Sequence, residues 1–549
     1  MSDLDHSEPK VPIEQVGAVV AAAGVGGRPL REVVRALAEG EHTLAELVRS
    51  LGVPRRSVEE ILSALGEDLS QTGESFRLNV SRADDYAVRF DLAQLDRTAQ
   101  ADPLAARLAA HAETVRLIEE LIERAPAARQ DIDHVSATAE TVVRRALWLE
   151  STFDTRGAHV LFVGDHDLTS IATALICRDA QITVVDLDER ILEFIAGEAG
   201  RLGVAARCLF GDFRLGFPTA ATGFADLVVT DPPYTPEGVK LFLARGLEGL
   251  GDKENSRLLL AYGFSARQPA LGLKVQNAIR ELHLTVEAML PKFNRYLGAQ
   301  AVGSAADWYA LRPTSKSWRT LDSAAAANIY THGPQSLEGA SGLPDDIAKY
   351  LLAQSDQPVL VGDGWSTTHT AEHPKLTLAT LLAKGIPQVH GRRGPIDIVA
   401  DLSKDPGAWL LRVLLAANCR NIVAVVPDTH PDLRGQALKS LISTKFRLRV
   451  EHATPRPGFA IVHAESTTPT TPADATVSDL LHRAHGKIGN AWREALIRHA
   501  PTDLTKRQAK DLIQATTPAP LLTPPLIELP RHDIARVLAD VRTSAQAAH

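Results

Sequence analysis

The sequence predicts an α/β protein whose central unit is a Rossmann-type parallel sheet with helices on both faces, and three observations carry that prediction. From Ala158, β-branched runs alternate with amphipathic helical stretches, the pattern of a parallel sheet covered on both sides. Acidic residues follow the ends of successive strands, where open α/β folds bind ligands. A second, shorter alternation runs from Pro358 to about Glu465.

Taken in order, the Ala/Gly-rich run AVVAAAGVGG near the start reads as a helix and a turn. EVVRALAEG, TLAELVRSLG and PRRSVEEILSALG then read as three short amphipathic helices, with Thr43 as an N-cap and Pro54 near a first turn. SFRLNV and DYAVRF read as a hairpin, which completes a winged-helix outline over 1–95. A winged helix binds DNA through its third helix. Residues 31–70, however, carry five basic against eight acidic side chains, which favours a packing or dimerisation module. A long helix is expected over 101–128, within a helical connector spanning 96–157.

The Rossmann-like unit, 158–315, reads AHVLFVG, QITVVDLD, ARCLFGD, ADLVVTDPPY and RLLLAYG as strands, with a closing pair in HLTVEAML and AVGSAADWYAL. A connector covers 316–355. The second α/β unit, 356–466, has strands in PVLVGDG, IDIVADL and NIVAVVPD and a hairpin around KFRLRVEH and FAIVHAE. Its order echoes the first unit, either as a degenerate duplication or as shared α/β grammar. Residues 467–549 read as a linker, STTPTTPADAT, and a helical tail broken by proline.

The 549 residues exceed one ordinary domain, and usage is globular at 45% hydrophobic and 23% charged. No apolar run reaches the length of a membrane span, and MSDLDHSEPK is acidic where a signal peptide would be basic. Cys177, Cys208 and Cys419 lie far apart, outside any CxxC pair, as expected of buried thiols in a cytoplasmic protein rather than disulfides or a metal site. The formal charge of −8 argues against a nucleic-acid partner and suits a cationic small molecule.

Chemistry concentrates at the strand ends. The first strand closes in Gly164-Asp165-His166-Asp167. Asp186, 22 residues beyond Gly164, has the spacing of a carboxylate that accepts ribose hydroxyls, with Asp188 as its rival for that role. Asp212 follows the third strand and is placed to face an adenine edge. Each alone is equally a turn or cap aspartate; in succession they indicate a nucleoside site. No GxGxxG or GxxxxGK[ST] is present, which argues against a dinucleotide pyrophosphate or a P-loop. Two carboxylates beside a histidine repel a donor carboxylate and attract an ammonium. Asp231-Pro232-Pro233-Tyr234 ends the fourth strand, its prolines fixing the aim of the carboxylate and phenol. DPPY here resembles the amine-modifying class I methyltransferases, in which such a turn holds the target nitrogen.

Taken together, residues 30–315 resemble the branched-chain polyamine synthases, or N(4)-bis(aminopropyl)spermidine synthases. DHVSATAETVVRR, VLFVGDHDLTSIATAL, VVDLDERILEFI, DLVVTDPPYTPEGVKLFLARG and FNRYLGAQAVGSAADWYAL carry the likeness, in order. The resemblance implies a class I methyltransferase-like fold and aminopropyl transfer from decarboxylated S-adenosylmethionine to a polyamine amine, releasing 5′-methylthioadenosine. It places Gly164, Asp165 and Asp167 in the family's acidic GDDD loop, Asp186 on the ribose side and Asp231 to Tyr234 on the acceptor side. The chain departs with His166 for a third aspartate and His134 where glutamine is common. Residues beyond about 320 lie outside the likeness.

The reading is therefore an aminopropyltransferase, expected to be a homodimer. Asp165, Asp167, Asp231 and Tyr234 serve the reacting amine groups; Gly164, His166, Asp186, Asp188, Asp212 and Pro232 hold the donor; no metal takes part. The rivals are methyl transfer from S-adenosylmethionine to an amine, and a winged-helix regulator that senses a nucleoside or polyamine without chemistry.

Overall fold

The computed structural model describes residues 11–97, 102–324, 329–330, 342–371, 373–386, 396–500 and 503–548. The acidic first ten residues and much of the connector over 325–341 lie outside them.

The N-terminal helices fall at Arg28–Glu39, Leu44–Leu51 and Arg55–Leu65. Thr43 caps the second, accepting from the Glu46 amide while Glu46 reaches back to the Thr43 amide. The hairpin differs from the expected one. Strands β1 (His42–Thr43), β2 (Leu69–Thr72) and β3 (Ser75–Leu78) form a small antiparallel sheet in the order β1-β3-β2. DYAVRF is instead helical over Ala83–Arg89, because Tyr86 and Phe90, four residues apart, both turn into the core. The tyrosine hydroxyl donates to the Asp68 carboxylate at 2.9 Å. The single long helix expected over 101–128 is two, Ala105–Ala110 and Ala112–Arg124, parted at His111.

The central sheet comprises β4 (His159–Val163), β5 (Gln181–Asp186), β6 (Ala206–Phe210), β7 (Leu227–Thr230), β8 (Arg257–Tyr262), β9 (Leu284–Arg295) and β10 (Ala305–Pro313). Its order is β6-β5-β4-β7-β8-β10-β9, with only the β10 pairings antiparallel. This is the class I methyltransferase-like arrangement, in which the progression of the strand order switches between the parallel neighbours β4 and β7. A helix at Pro269–Glu281, which sequence reading passed over, joins β8 to β9.

The register brings the site together. Val163 lies beside Val185 on one side and Thr230 on the other, so Gly164, Asp186 and Asp231 emerge level at the carboxyl edge. The Thr230 hydroxyl donates to the Val163 carbonyl at 2.8 Å and ties the two central strands at that edge.

The second sheet holds β11 (Val359–Val361), β12 (Lys375–Leu376), β13 (Asp397–Asp401), β14 (Asn421–Pro427), β15 (Phe446–His452) and β16 (Phe459–Ser466). Its order, β12-β11-β13-β14-β16-β15, repeats the central sheet with the β6 position missing. The directions match too: β11 to β14 run parallel and the last hairpin is antiparallel. The expected linker is shorter than its composition implied, because Thr471 caps a helix that starts at Pro472. The C-terminal helices pack rather than trail. One buried apolar cluster runs from Leu161, Val228 and Leu247 of the first unit through Trp409 and Val426 to Trp492 and Val541.

Among the described residues, no helix is long and apolar enough to cross a membrane.

Candidate functional site

A cavity of about 440 Å³ opens at the carboxyl edge of the central sheet. Gly164, Asp165, His166, Asp167, Asp186, Asp231, Pro232 and Tyr234 all line it. The turn after β4 needs glycine, since Gly164 has φ +76° and a side chain there would press on Phe242 at 3.3 Å. Its neighbour Asp165 is spent locally. Both oxygens cap the helix Thr169–Ile176, accepting from the Thr169 amide at 2.9 Å and the Ser170 amide at 3.0 Å. Burial pushes its carboxyl up to about 8 against those bonds.

Asp186 accepts from the Asp165 amide at 3.0 Å and the Asp188 amide at 2.8 Å, which fixes its carboxylate across the strand ends. Burial raises it to about 6. Asp188 does not line the cavity. It caps the helix Glu189–Leu202 and pairs with Arg190 at 2.6 Å. Burial works to raise its pKa, but the guanidinium prevails and holds it below the usual carboxylate range.

Asp212 also stands off the cavity lining. It lies in a bidentate pair with Arg214, at 2.8 and 2.5 Å, and accepts from the Trp409 indole of the second unit at 2.9 Å. It lines a smaller adjoining pocket of about 160 Å³, while Phe213 faces the main cavity. The adenine contact expected of Asp212 is thus replaced by a buried ion pair. A carboxylate this enclosed keeps its charge through a cation rather than a nucleobase.

The chemistry of the deep end turns on a residue that sequence reading did not single out. Arg145, 1% exposed on the helix Ala139–Thr152, donates to Asp167 at 2.9 Å and Asp231 at 2.6 Å. It also donates to Asn294 at 2.8 Å and, more weakly, to the hydroxyls of Tyr296 and Thr169. Asp167 is completed by the Ala137 amide at 2.7 Å. Asp231 accepts from Tyr296 at 2.7 Å on the oxygen that Arg145 holds. Among the described residues its other oxygen has only the Tyr234 hydroxyl near it, at 3.3 Å, and that hydroxyl gives its single proton to Tyr296, at 2.9 Å. Burial pushes Asp231 up to about 7, with Arg145 opposing, and drives Tyr234 and Tyr296 well above the ordinary phenol value. Arg145 was legible in one respect. It shares a face with Val142 and Leu149, an arginine on an otherwise apolar stripe.

The two family departures meet in space. The rings of His134 and His166 stack 4.3 Å apart at 20°, on the cavity wall. Among the described residues the Nδ1 atom of each has no hydrogen-bond partner, and His166 Nε2 lies 3.3 Å from the Ser136 hydroxyl. Burial depresses both, to about 3 and about 4, so both are neutral at physiological pH. Among the described residues, no group of three or more His, Cys, Asp or Glu side chains converges as a metal-ligand set.

A class I methyltransferase-like sheet with a carboxylate-lined cavity and an Asp-Pro-Pro-Tyr turn defines an α/β protein of Rossmann type with a ligand-sized cavity at its carboxyl edge. Residues 113–330 match the family model described as the branched-chain polyamine synthase A C-terminal domain. An uncharacterized protein of Methanocaldococcus jannaschii is 38% identical over 182 residues, 33% of this chain and 46% of that protein. The N(4)-bis(aminopropyl)spermidine synthase of Thermococcus kodakarensis is 28% identical over 247 residues, 43% of this chain and 67% of the relative. The chain thus spans about half to two thirds of these relatives' length. A solved branched-chain polyamine synthase of Thermus thermophilus, in complex with N4-aminopropylspermidine and 5′-methylthioadenosine, aligns at 20% identity and a TM-score of 0.39, covering 56% of this chain and 93% of that one. Over residues 113–330 the chain is similar to the branched-chain polyamine synthase family.

Proposed function

We propose that this protein is an aminopropyltransferase that moves the aminopropyl group of decarboxylated S-adenosylmethionine to an amine of a polyamine such as spermidine, releasing 5′-methylthioadenosine. The observation that carries the reading is Asp231. One of its oxygens is locked by Arg145 and Tyr296, and the other faces the cavity with, among the described residues, only the Tyr234 hydroxyl near it. That free oxygen accepts an N–H of the incoming amine and stabilises the charge that develops on nitrogen as the C–N bond forms and the C–S bond breaks. The lining supports a cationic pair of substrates, with the carboxyl groups of Asp133, Asp167, Asp186 and Asp231 against Arg145.

In this reading Asp186 holds the ribose, and Gly164, His166 and Pro232 shape the donor's seat. Asp165 and Asp167 act on the substrate ammonium groups through the loop they hold in place. Asp188 and Asp212 act from outside the cavity, as anchors of its walls. Residues 1–95 serve as a winged-helix-like packing or dimerisation module and 158–315 as the catalytic unit of a cytoplasmic homodimer without a nucleic-acid partner. Sedimentation of the full chain tests the dimer.

The decisive experiment is mass spectrometry of the protein incubated with spermidine and either decarboxylated or ordinary S-adenosylmethionine. A product heavier by one C3H7N unit per transfer, with methylthioadenosine released, is expected. A methylated amine with S-adenosylhomocysteine would move the assignment to methyl transfer. Consumption of neither donor, across a screen of amines, would leave a ligand-sensing role.

A further inference from the structure

The second α/β unit matches the first at two positions of its carboxyl edge and differs at a third, where Thr377 stands in the place of Asp186. By register, Val361 lies beside Ala400 as Val163 lies beside Thr230. Gly362 therefore corresponds to Gly164 and Asp401 to Asp231, and both glycines have positive φ, at +111° and +76°. In the second unit Asp401 lies against the loop after β11: its Oδ2 would lie 2.0 Å from any Cβ placed on Gly364, and its Oδ1 accepts from the Ser403 amide at 3.0 Å.

What this unit offers instead is the residue that opens its next helix. Trp409, 8% exposed, begins the helix Trp409–Ala416 and reaches across to the first unit. Its indole donates to Asp212, and its ring lies 5.3 Å from the Arg214 guanidinium. A second ring near that guanidinium is Tyr330, at 5.2 Å. Tyr330 is a wall of the 440 Å³ cavity, and its neighbour Ile329 is held by the Thr235 hydroxyl at 2.7 Å, at the start of the helix that follows the DPPY turn. A guanidinium with two aromatic rings near it and clamped by a carboxylate has few alternative positions. Movement of Trp409 is therefore felt by Tyr330 through Arg214. Tyr330 shares the cavity lining with Asp186, the carboxylate read as the ribose partner.

We propose that the second unit is a non-catalytic brace, and that Trp409 is a positioning residue which, through Arg214, sets the Tyr330 wall of the nucleoside end of the cavity. The proposal rests on the aminopropyltransferase reading only in taking that end as the nucleoside's.

The test is calorimetric titration of the full-length protein with 5′-methylthioadenosine and, separately, with spermidine. Trp409→Leu removes both the ring and the indole donor, and about a tenfold weaker methylthioadenosine affinity is expected, with spermidine affinity unchanged. Trp409→Phe keeps the ring and deletes only the N–H to Asp212. It should fold as the parent does and weaken methylthioadenosine by a few-fold, on the order of one hydrogen bond. In a Tyr330→Leu background, either Trp409 change should add little, because the relay is already cut. Equal weakening toward both ligands, unchanged affinity in Trp409→Phe, or full additivity with Tyr330→Leu would each overturn the brace. A parent protein that binds no methylthioadenosine would instead overturn the nucleoside reading of the cavity, and the brace with it.

Discussion

Arg145 sits between Asp167 and Asp231 with its side chain 2% exposed, so two carboxylates and one cation share a space that water barely enters. Removing the cation alone leaves both carboxylates buried without compensation, a loss of about 3–5 kcal/mol. Arg145→Met should therefore lower urea-unfolding stability by that order, whereas Asp231→Asn, which keeps the shape and a carbonyl acceptor, should cost far less. On activity the order reverses in kind. Asp231→Asn should reduce turnover at least tenfold while leaving methylthioadenosine affinity near that of the parent. Wild-type turnover in Asp231→Asn would remove this carboxylate from the reaction.

The same burial makes stability depend on pH with opposite signs in two windows. Asp165 and Asp231 titrate at about 8 and about 7 in the fold, above their unfolded values, so the folded state binds more protons. Their contribution is complete below about pH 4 and is lost as pH rises to about 8; above about pH 6.5, where the histidines no longer oppose it, thermal stability should fall up to about pH 8. Asp165→Asn should flatten that slope. His134 and His166 are depressed instead, and their contribution is lost as pH falls from about 6.5 toward their folded values. Their imidazole proton resonances should stay flat from pH 8 to about pH 5. A midpoint near 6.5 for either ring would show it to be solvated.

At the scale of elements, the strand–turn–helix junctions were the part most open to sequence reading. Gly164, Asp165, Asp186 and the DPPY turn each follow a β-branched run, and composition alone marks where such a run stops. Their partners were less visible, because partnership is tertiary. Arg145 and Tyr296 are 86 and 65 residues from the carboxylate they share; the apolar stripe around Arg145 marks it as buried, but nothing local names its partner. Asp188 and Asp212 misled for a related reason. An aspartate after a strand looks the same whether it faces a ligand or an arginine two residues on. DYAVRF alternates like a strand but is a helix, since a short segment satisfies either period and the core decides. The β4 turn offers a test at this scale. Gly164→Ala combines a left-handed backbone with a methyl 3.3 Å from Phe242, so a loss of about 1–2 kcal/mol is expected. Nucleoside affinity should fall with it, because the Cβ also comes within 4.0 Å of Asp186.

At the scale of the molecule, the two sheets are joined by charge as well as by apolar contact. Glu189, at the start of the helix after β5, accepts from Arg412 of the second unit and, at 3.2 Å, from Arg531 of the C-terminal helix. Arg531 in turn holds Asp432. Arg412 has no exposed side-chain surface and lies 4.0 Å over the Phe210 ring at the end of β6, and burial pulls its pKa down to about 10. Glu528 reaches back to the amides of Thr219 and Ala220 at 2.8 and 2.9 Å. A buried guanidinium cannot discard its charge as an amine does, so Glu189→Gln leaves Arg412 with a neutral partner in an apolar setting. A loss of about 3 kcal/mol is expected, at the lower end for a broken buried pair. Because the core is continuous across the interface, that loss should not be confined to one unit. The parent chain should give one calorimetric transition, and Glu189→Gln one transition at lower temperature. Two resolved transitions in the parent would show that each sheet keeps its own core, and the interface would then be a docking surface rather than part of the fold.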